Sequence, residues 1–536
     1  MRITVAIVTT LLGLLQLTIS SEKSHVQIGL TNAPSVKLHV KSKRRAVTLH
    51  GKTEFEIYAT PVVSPNGTSM YYNSYAKFID EDSEFIYTII DGAFYLTTKD
   101  ASNTPTVQCL SSSILPFHEI LPALNDVTSI PSASIGNDFV ECTRGNLFET
   151  SFLSVQYAIC ASGKAGFTVH GSDLEISVAY LDEPVRIQKP ELADGSNLCE
   201  PIEMATSISP TALALITGDT VRTSVSRRLK FKWPWEKKFH LDMKPSECNK
   251  CLHTPRPCIF FHGLGNGREE AELQDTPKLI STQYGDMRGH GPCCSTLKYA
   301  VLNTNDFGWT NDTLQQKFCD HMYTMSPTSN KTNKIVRDTI VVTHSMGGLV
   351  LSAAIASGKC KLANTTSWVV LSPPMAGSMA SDFVVDACDK GTPDFAVNLL
   401  ELVGQCPVTV ARHTTFRLGG RYITPSLEAA YLAAQKAFRK NAFAVLCSDY
   451  FLGLVSRLQA LCVLAGTVIP HRSLKNDGLV EFESCLGGLD SSMFGDNYMD
   501  TYYRAQVNHG DSAFLAADSW LSDAQKPHKW FECLPL

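Results

Sequence analysis

Hydrophobic positions follow two different rhythms along the chain. Over residues 35–190 short alternating or β-branched runs recur, among them Val36-Lys-Leu-His-Val40, Phe85-Ile-Tyr-Thr-Ile-Ile90 and Leu174-Glu-Ile-Ser-Val-Ala-Tyr180. Clusters of Gly, Asn, Asp and Pro separate them, which predicts a mainly antiparallel sheet, half-barrel or sandwich. From Pro257 the runs become short and continuously apolar. Residues 258–261, 297–302, 339–342 and 368–371 read as strands of a parallel sheet covered on both faces, and 349–357 as a helix rich in small residues that packs on it. Residues 376–455 break the alternation with helical stretches such as 427–439, as an insertion over the strand ends would. The run 461–466 reads as a late strand, and 512–522 as an amphipathic helix.

With 536 residues the chain exceeds the roughly 250–300 at which one core stops growing, so more than one domain is expected. The expectation is an α/β protein: a β-rich domain at 21–200, a linker at 201–255, and a doubly wound, mostly parallel sheet at 256–536 with its cap at 376–455. A net charge of −5 on this length is mild, which sets nucleic acid aside as the main partner.

Arg2 and the apolar run 5–17, closed by Thr18, Ser20 and Ser21, match a secretory signal over residues 1–20 better than an uncapped buried helix or a membrane span. Seventeen cysteines agree with an oxidising compartment, four of them up to Cys199 and thirteen from Cys248 onward. Their odd number leaves at least one thiol free or intermolecular. Cys462, inside an apolar run, is the candidate. Cys248, Cys251 and Cys258 lack a fourth ligand at zinc-finger spacing, so disulfides are expected there and no metal or cofactor is. Asn66, Asn311, Asn330 and Asn364 stand in glycosylation sequons. Within the linker, Arg227-Arg-Leu-Lys-Phe-Lys-Trp-Pro-Trp-Glu-Lys-Lys238 interleaves six basic residues with three aromatics. A solvated linker explains that run most simply; peripheral contact with an anionic membrane and processing at Arg227-Arg228 are the alternatives.

Chemistry concentrates in the second half. Thr343-His-Ser-Met-Gly-Gly348 joins a strand directly to a helix, a turn that lifts the Ser345 hydroxyl out of the sheet and needs small neighbours such as Gly347 and Gly348. A plain connecting turn is the alternative. About 80 residues earlier, Phe260-Phe-His-Gly-Leu-Gly265 ends another strand, so the backbone N–H groups of Leu264 and Met346 are placed to bind an oxyanion. An acid and then a histidine should follow in chain order. Asn476-Asp-Gly478 and Asn508-His-Gly510 supply Asp477 to orient an imidazole and His509 to take the Ser345 proton. Asp449, just after the strand-like run 442–446, competes for the acid role. Most of the 15 histidines are expected to be structural. His344 would pack, His262 would shape the oxyanion loop, and His471 precedes the acid and fits the order badly.

In order and type, His262-Gly-Leu-Gly265, His344-Ser-Met-Gly-Gly348, Asn476-Asp-Gly-Leu-Val480 and Asn508-His509 resemble the bacterial triacylglycerol lipase signature. The resemblance, to the secreted lipase and esterase branch of the α/β-hydrolase superfamily, covers about residues 256–533. It implies Ser345, Asp477 and His509 as a triad, Leu264 and Met346 as oxyanion donors, and a secreted enzyme acting on a carboxylic ester, with a lipid-like substrate favoured. A thioesterase, a glycolipid deacylase or a silent lipid or cell-surface binding protein would keep the same pattern. Thr343 departs from it by standing where the first glycine of G-x-S-x-G belongs. Asp511 stands where some such lipases place a calcium ligand, but the remaining ligands are not identifiable.

Overall fold

The structure, a computed structural model, describes residues 29–536 except 45–46, 68, 81–82, 100–104, 111–118, 154, 193–198, 200, 202–207, 220, 222–239, 245–247, 249, 391–405 and 457. The signal-like residues 1–20 and the basic-aromatic run 227–238 lie outside the described residues. The chain forms two compact units, Met1–Ser246 and Glu247–Leu536.

The first unit is built on an eleven-stranded sheet: β1 (Ser35–Ser42), β2 (Glu54–Val63), β3 (Met70–Asp80), β4 (Ser83–Ile90), β5 (Ala93–Lys99), β6 (Pro105–Leu110), β7 (Thr128–Ser129), β8 (Asn146–Phe152), β9 (Val155–Ala161), β10 (Phe167–His170) and β11 (Leu174–Leu181). Its order is β6-β5-β4-β3-β2-β1-β11-β10-β9-β8-β7, with every neighbouring pair antiparallel. Two short helices, α1 (Ile120–Asn125) and α2 (Pro210–Thr217), complete it with a small three-stranded sheet that takes in His240–Met243. Both α2 and His240–Met243 fall where a linker was expected. The helix carries ordinary signals: Ser209 accepts from Ala212 N, Pro210 opens the first turn, and Gly218 closes it with φ +72°.

In the second unit, six strands form one parallel sheet: β12 (Arg256–Phe261), β13 (Cys294–Ala300), β14 (Ile340–His344), β15 (Ser367–Leu371), β16 (Ala442–Ser448) and β17 (Tyr502–Ala505), in the order β13-β12-β14-β15-β16-β17. Successive residues feed opposite cores. Ile259, Phe261, Val341, Trp368, Val370 and Val445 join one buried cluster, while Cys258, Phe260, Val342, Val369, Leu371 and Leu446 join another. Continuous apolar runs are what a strand needs when both its faces are covered. Helices α3 (Asp312–Met325), α4 (Met346–Ala356) and α6 (Pro425–Asn441) bury residues in the first cluster, and α5 (Met379–Lys390) packs with α7 (Gln459–Val468).

Three expectations fail here. β16 lies inside the range 376–455 assigned to the cap, so the stretch standing outside the sheet ends at Asn441. The run 461–466 is helical. Cys462, Ala465 and Ile469 are buried at helical spacing; Ala465 and Ile469 pack with Ala380 and Val384 of α5, and Cys462 lies against Gly478. Residues 512–522 form no long helix: a single 3₁₀ turn at Asp511–Ala513 ends on Phe514 at φ +64°. Their polar side chains serve as buried partners instead of a solvent face. The Asp518 carboxylate accepts from the N–H groups of His528 and Lys529 at 2.8 and 3.0 Å, at the start of the C-terminal helix Pro527–Cys533.

Sixteen cysteines form eight disulfides, and buried Cys462 alone is free. Cys109–Cys199 and Cys142–Cys160 stay within the first unit. Cys248, Cys251 and Cys258 pair with Cys533, Cys293 and Cys294.

Candidate active site

Ser345 leaves β14 and becomes the N-cap of α4 at φ 53°, ψ −129°, a conformation that side-chain-bearing residues rarely adopt. The turn is tied down from two sides. Ser345 N–H donates to the Leu371 carbonyl at 2.9 Å, and Gly348 N–H returns to the Ser345 carbonyl at 3.0 Å. A Cβ on Gly347 would lie 2.7 Å from the His262 carbonyl oxygen, and one on Gly348 would lie 2.9 Å from Pro373 Cβ. Close packing therefore requires both glycines. Thr343, the departure from the glycine pattern, is fully buried and accepts a hydrogen bond from Trp368 Nε1 at 2.9 Å. The branched side chain thus has a partner across the sheet, and the elbow closes around it.

The loop after β12 crosses directly over the serine. A Cβ on Gly263 would stand 2.6 Å from Ser345 Cβ and 3.1 Å from its hydroxyl oxygen. Buried His262 holds this loop: Leu302 N–H donates to Nε2 at 3.1 Å, so the proton sits on Nδ1 and is donated to the Gly263 carbonyl at 2.9 Å. Burial, the largest influence, drives the His262 pKa down to about 4, so the ring stays neutral. Met346, as the first helical residue, has an N–H with no partner inside its helix. It and Leu264 flank Ser345, the former by sequence and the latter through Gly263.

His509 Nε2 lies 3.0 Å from Ser345 Oγ, and its Nδ1 lies 2.8 Å from Asp477 Oδ2. Asp477 is 1% exposed and His509 is 7% exposed, so water competes little for either contact. A carboxylate beside Nδ1 holds the proton there and leaves Nε2 as the acceptor facing the serine. The other Asp477 oxygen accepts from Leu479 and Val480 N–H at 3.0 and 2.7 Å, and His509 N–H donates to the Asp477 carbonyl at 2.9 Å. Side chain and backbone of the two loops are therefore locked in one register. Asp449, the competing acid, is turned elsewhere: its oxygen lies 3.8 Å from Arg504 Nε at the end of β17.

Several supports were not legible in the sequence. His344 Nε2 donates to the His509 carbonyl at 3.1 Å, and the ring stays neutral because burial drives its pKa far down. It positions the histidine loop as well as packing. His471 reaches the Gly478 carbonyl at 3.2 Å, beside Asp477. Glu481, 1% exposed, pairs with Arg417 at 2.7 Å and pins the loop that carries Asp477. No spacing rule links positions 417 and 481. Asp511 accepts from Leu454 N–H at 2.7 Å and Asn508 N–H at 3.2 Å. Among the described residues no group of three or more His, Cys, Asp or Glu could hold a metal ion.

No family model and no curated protein matches the chain. Among solved structures it is similar to the Staphylococcus hyicus lipase at 12% identity and a TM-score of 0.28, over 53% of this chain and 95% of that one. A likeness of that size carries no inference about activity.

Proposed function

We propose that the second unit is an α/β-hydrolase and that the protein is a secreted serine hydrolase cleaving a carboxylic ester, with a lipid-like acyl group favoured. The observation that carries this reading is the continuous run of short contacts from Ser345 Oγ through His509 to Asp477. His509 takes the Ser345 proton as the oxygen attacks the ester carbonyl. The N–H groups of Leu264 and Met346 receive the developing oxyanion, a contribution commonly worth about 3–4 kcal/mol per donor. His509 then protonates the leaving alcohol, and water, deprotonated by the same ring, releases the acyl group from Ser345. No cofactor enters these steps. Eight disulfides agree with an extracellular location, and among the described residues no helix is long and apolar enough to cross a membrane.

A fluorophosphonate probe should attach covalently to the Ser345 peptide, and a p-nitrophenyl ester series should show turnover lost in step with labelling. Absence of labelling, or labelling at another residue with turnover inhibited, overturns the reading. The loop over the serine gives a finer test. Gly263→Ala places a methyl group against Ser345 Cβ, and because a displacement near 1 Å costs roughly a hundredfold, kcat measured well below the Tm should fall by about that factor, with the Tm lowered by the overpacking. Unchanged kcat would mean that the loop is not held against the nucleophile.

A further inference from the structure

The first unit contains a cavity of about 170 Å³ that plays no part in the chemistry above. Its lining crosses the middle of the sheet, from Phe94 of β5 through Ile89, Met70, Ala59, Val36 and Val178 to Phe167 of β10. Those residues sit on seven consecutive strands, β5-β4-β3-β2-β1-β11-β10, hence six spacings of about 4.8 Å, or roughly 29 Å along the sheet. The cavity is a slot in that its lining forms one apolar band across those strands. No charged side chain lines it, and its polar side-chain groups are the hydroxyls of Tyr71, Tyr72 and Ser74.

Helices α1 and α2 cover the slot. Leu215 and Ile216 of α2 are buried against it, but α1 has no fully buried residue although Ile120, Leu121 and Leu124 all line the cavity, and Ile120 is 37% exposed. The sheet floor is correspondingly small. Ala59 and Ser74 are cross-strand partners at its centre, where larger residues would have filled the space. An unfilled apolar void lowers stability and stays dry, and a void of about 150 Å³ is enough to take up a hydrocarbon guest.

We propose that the first unit is a binding site for one extended acyl chain of a lipid, held in the slot between the sheet and α1. The span exceeds the length of a single lipid chain, half of the ~30 Å hydrocarbon thickness of a bilayer. A flexible chain can follow a lining that runs from strand to strand, which a rigid fused ring cannot. Recognition is by hydrocarbon surface, so the head group contributes little. This site is independent of Ser345, and a failure of the proposed hydrolase activity would leave it standing.

The test uses the full chain carrying Ser345→Ala, so that nothing is turned over, with cis-parinaric acid as the fluorescent probe. Saturable binding is expected, with palmitate and hexadecanol displacing the probe about equally and cholesterol displacing it poorly. Ala59→Phe and Ser74→Leu, each filling the slot, should weaken the probe by roughly tenfold or more. In the Ser345-containing protein the same two changes should leave hydrolysis of a short, water-soluble ester unaltered, which keeps the site distinct from the catalytic one. Circular dichroism establishes that each variant is folded. If neither folds, the displacement series decides alone. Absence of saturable binding, binding indifferent to both fillings, displacement by palmitate but not hexadecanol, or displacement by cholesterol as strong as by palmitate each overturns the proposal.

Discussion

Replacing Ser345 by alanine should reduce ester turnover by about six orders of magnitude while leaving secretion and folding intact. The hydroxyl oxygen lies 3.0 Å from His509 Nε2, and its loss also ends acyl transfer to the chain. Alanine suits the elbow as well as serine does: the φ of 53° costs a β-carbon the same in either residue, and the Ser345 backbone bonds to Leu371 and Gly348 do not use the side chain. A Tm within a few degrees of the parent, measured beside kcat, separates lost chemistry from lost structure. Turnover near the parental rate in the alanine variant would show that Ser345 is not the nucleophile.

The acid should be Asp477, and Asp477→Asn should cost about four orders of magnitude in turnover. The new amide oxygen keeps the two hydrogen bonds from Leu479 and Val480 N–H, which turns the NH₂ toward His509 Nδ1. Imidazole then carries its proton on Nε2, facing Ser345, and has no lone pair with which to accept the hydroxyl proton. Asp449→Asn should change turnover by a few-fold at most, since that side chain approaches Arg504 and not the histidine. Measuring kcat for the two variants together is decisive: a crippled Asp449→Asn beside an active Asp477→Asn would reverse the assignment.

How far each of these features was legible depends on the range of the interaction behind it. Ser345 was readable because a strand, a hydroxyl, two small residues and a helix are consecutive in the chain, and elbow geometry is local. The central strands were readable because a sheet covered on both faces needs unbroken apolar runs, and 258–261, 339–342 and 368–371 supply them. The run 461–466 misled for the same reason. Leu-Cys-Val-Leu-Ala is apolar enough for either element, and only its neighbours, Ala380 and Val384, select a helix. Residues 512–522 misled in the opposite way, because Ser512 and Asp518 look like a solvent face until their backbone partners are known.

By itself, the sequence indicated two units, the sharp strand-to-helix turn at Ser345, the glycine loop before it and the unpaired Cys462. Local backbone sterics and residue chemistry are enough to specify such features. The tertiary structure alone brought Asp477 and not Asp449 to His509, gave Thr343 its partner in Trp368, turned His344 into a support for His509, and opened a slot under α1. Each of these depends on which distant side chains meet across 25 to 165 positions of chain. That meeting is set by how the sheet and its covering helices pack, and no local pattern encodes it.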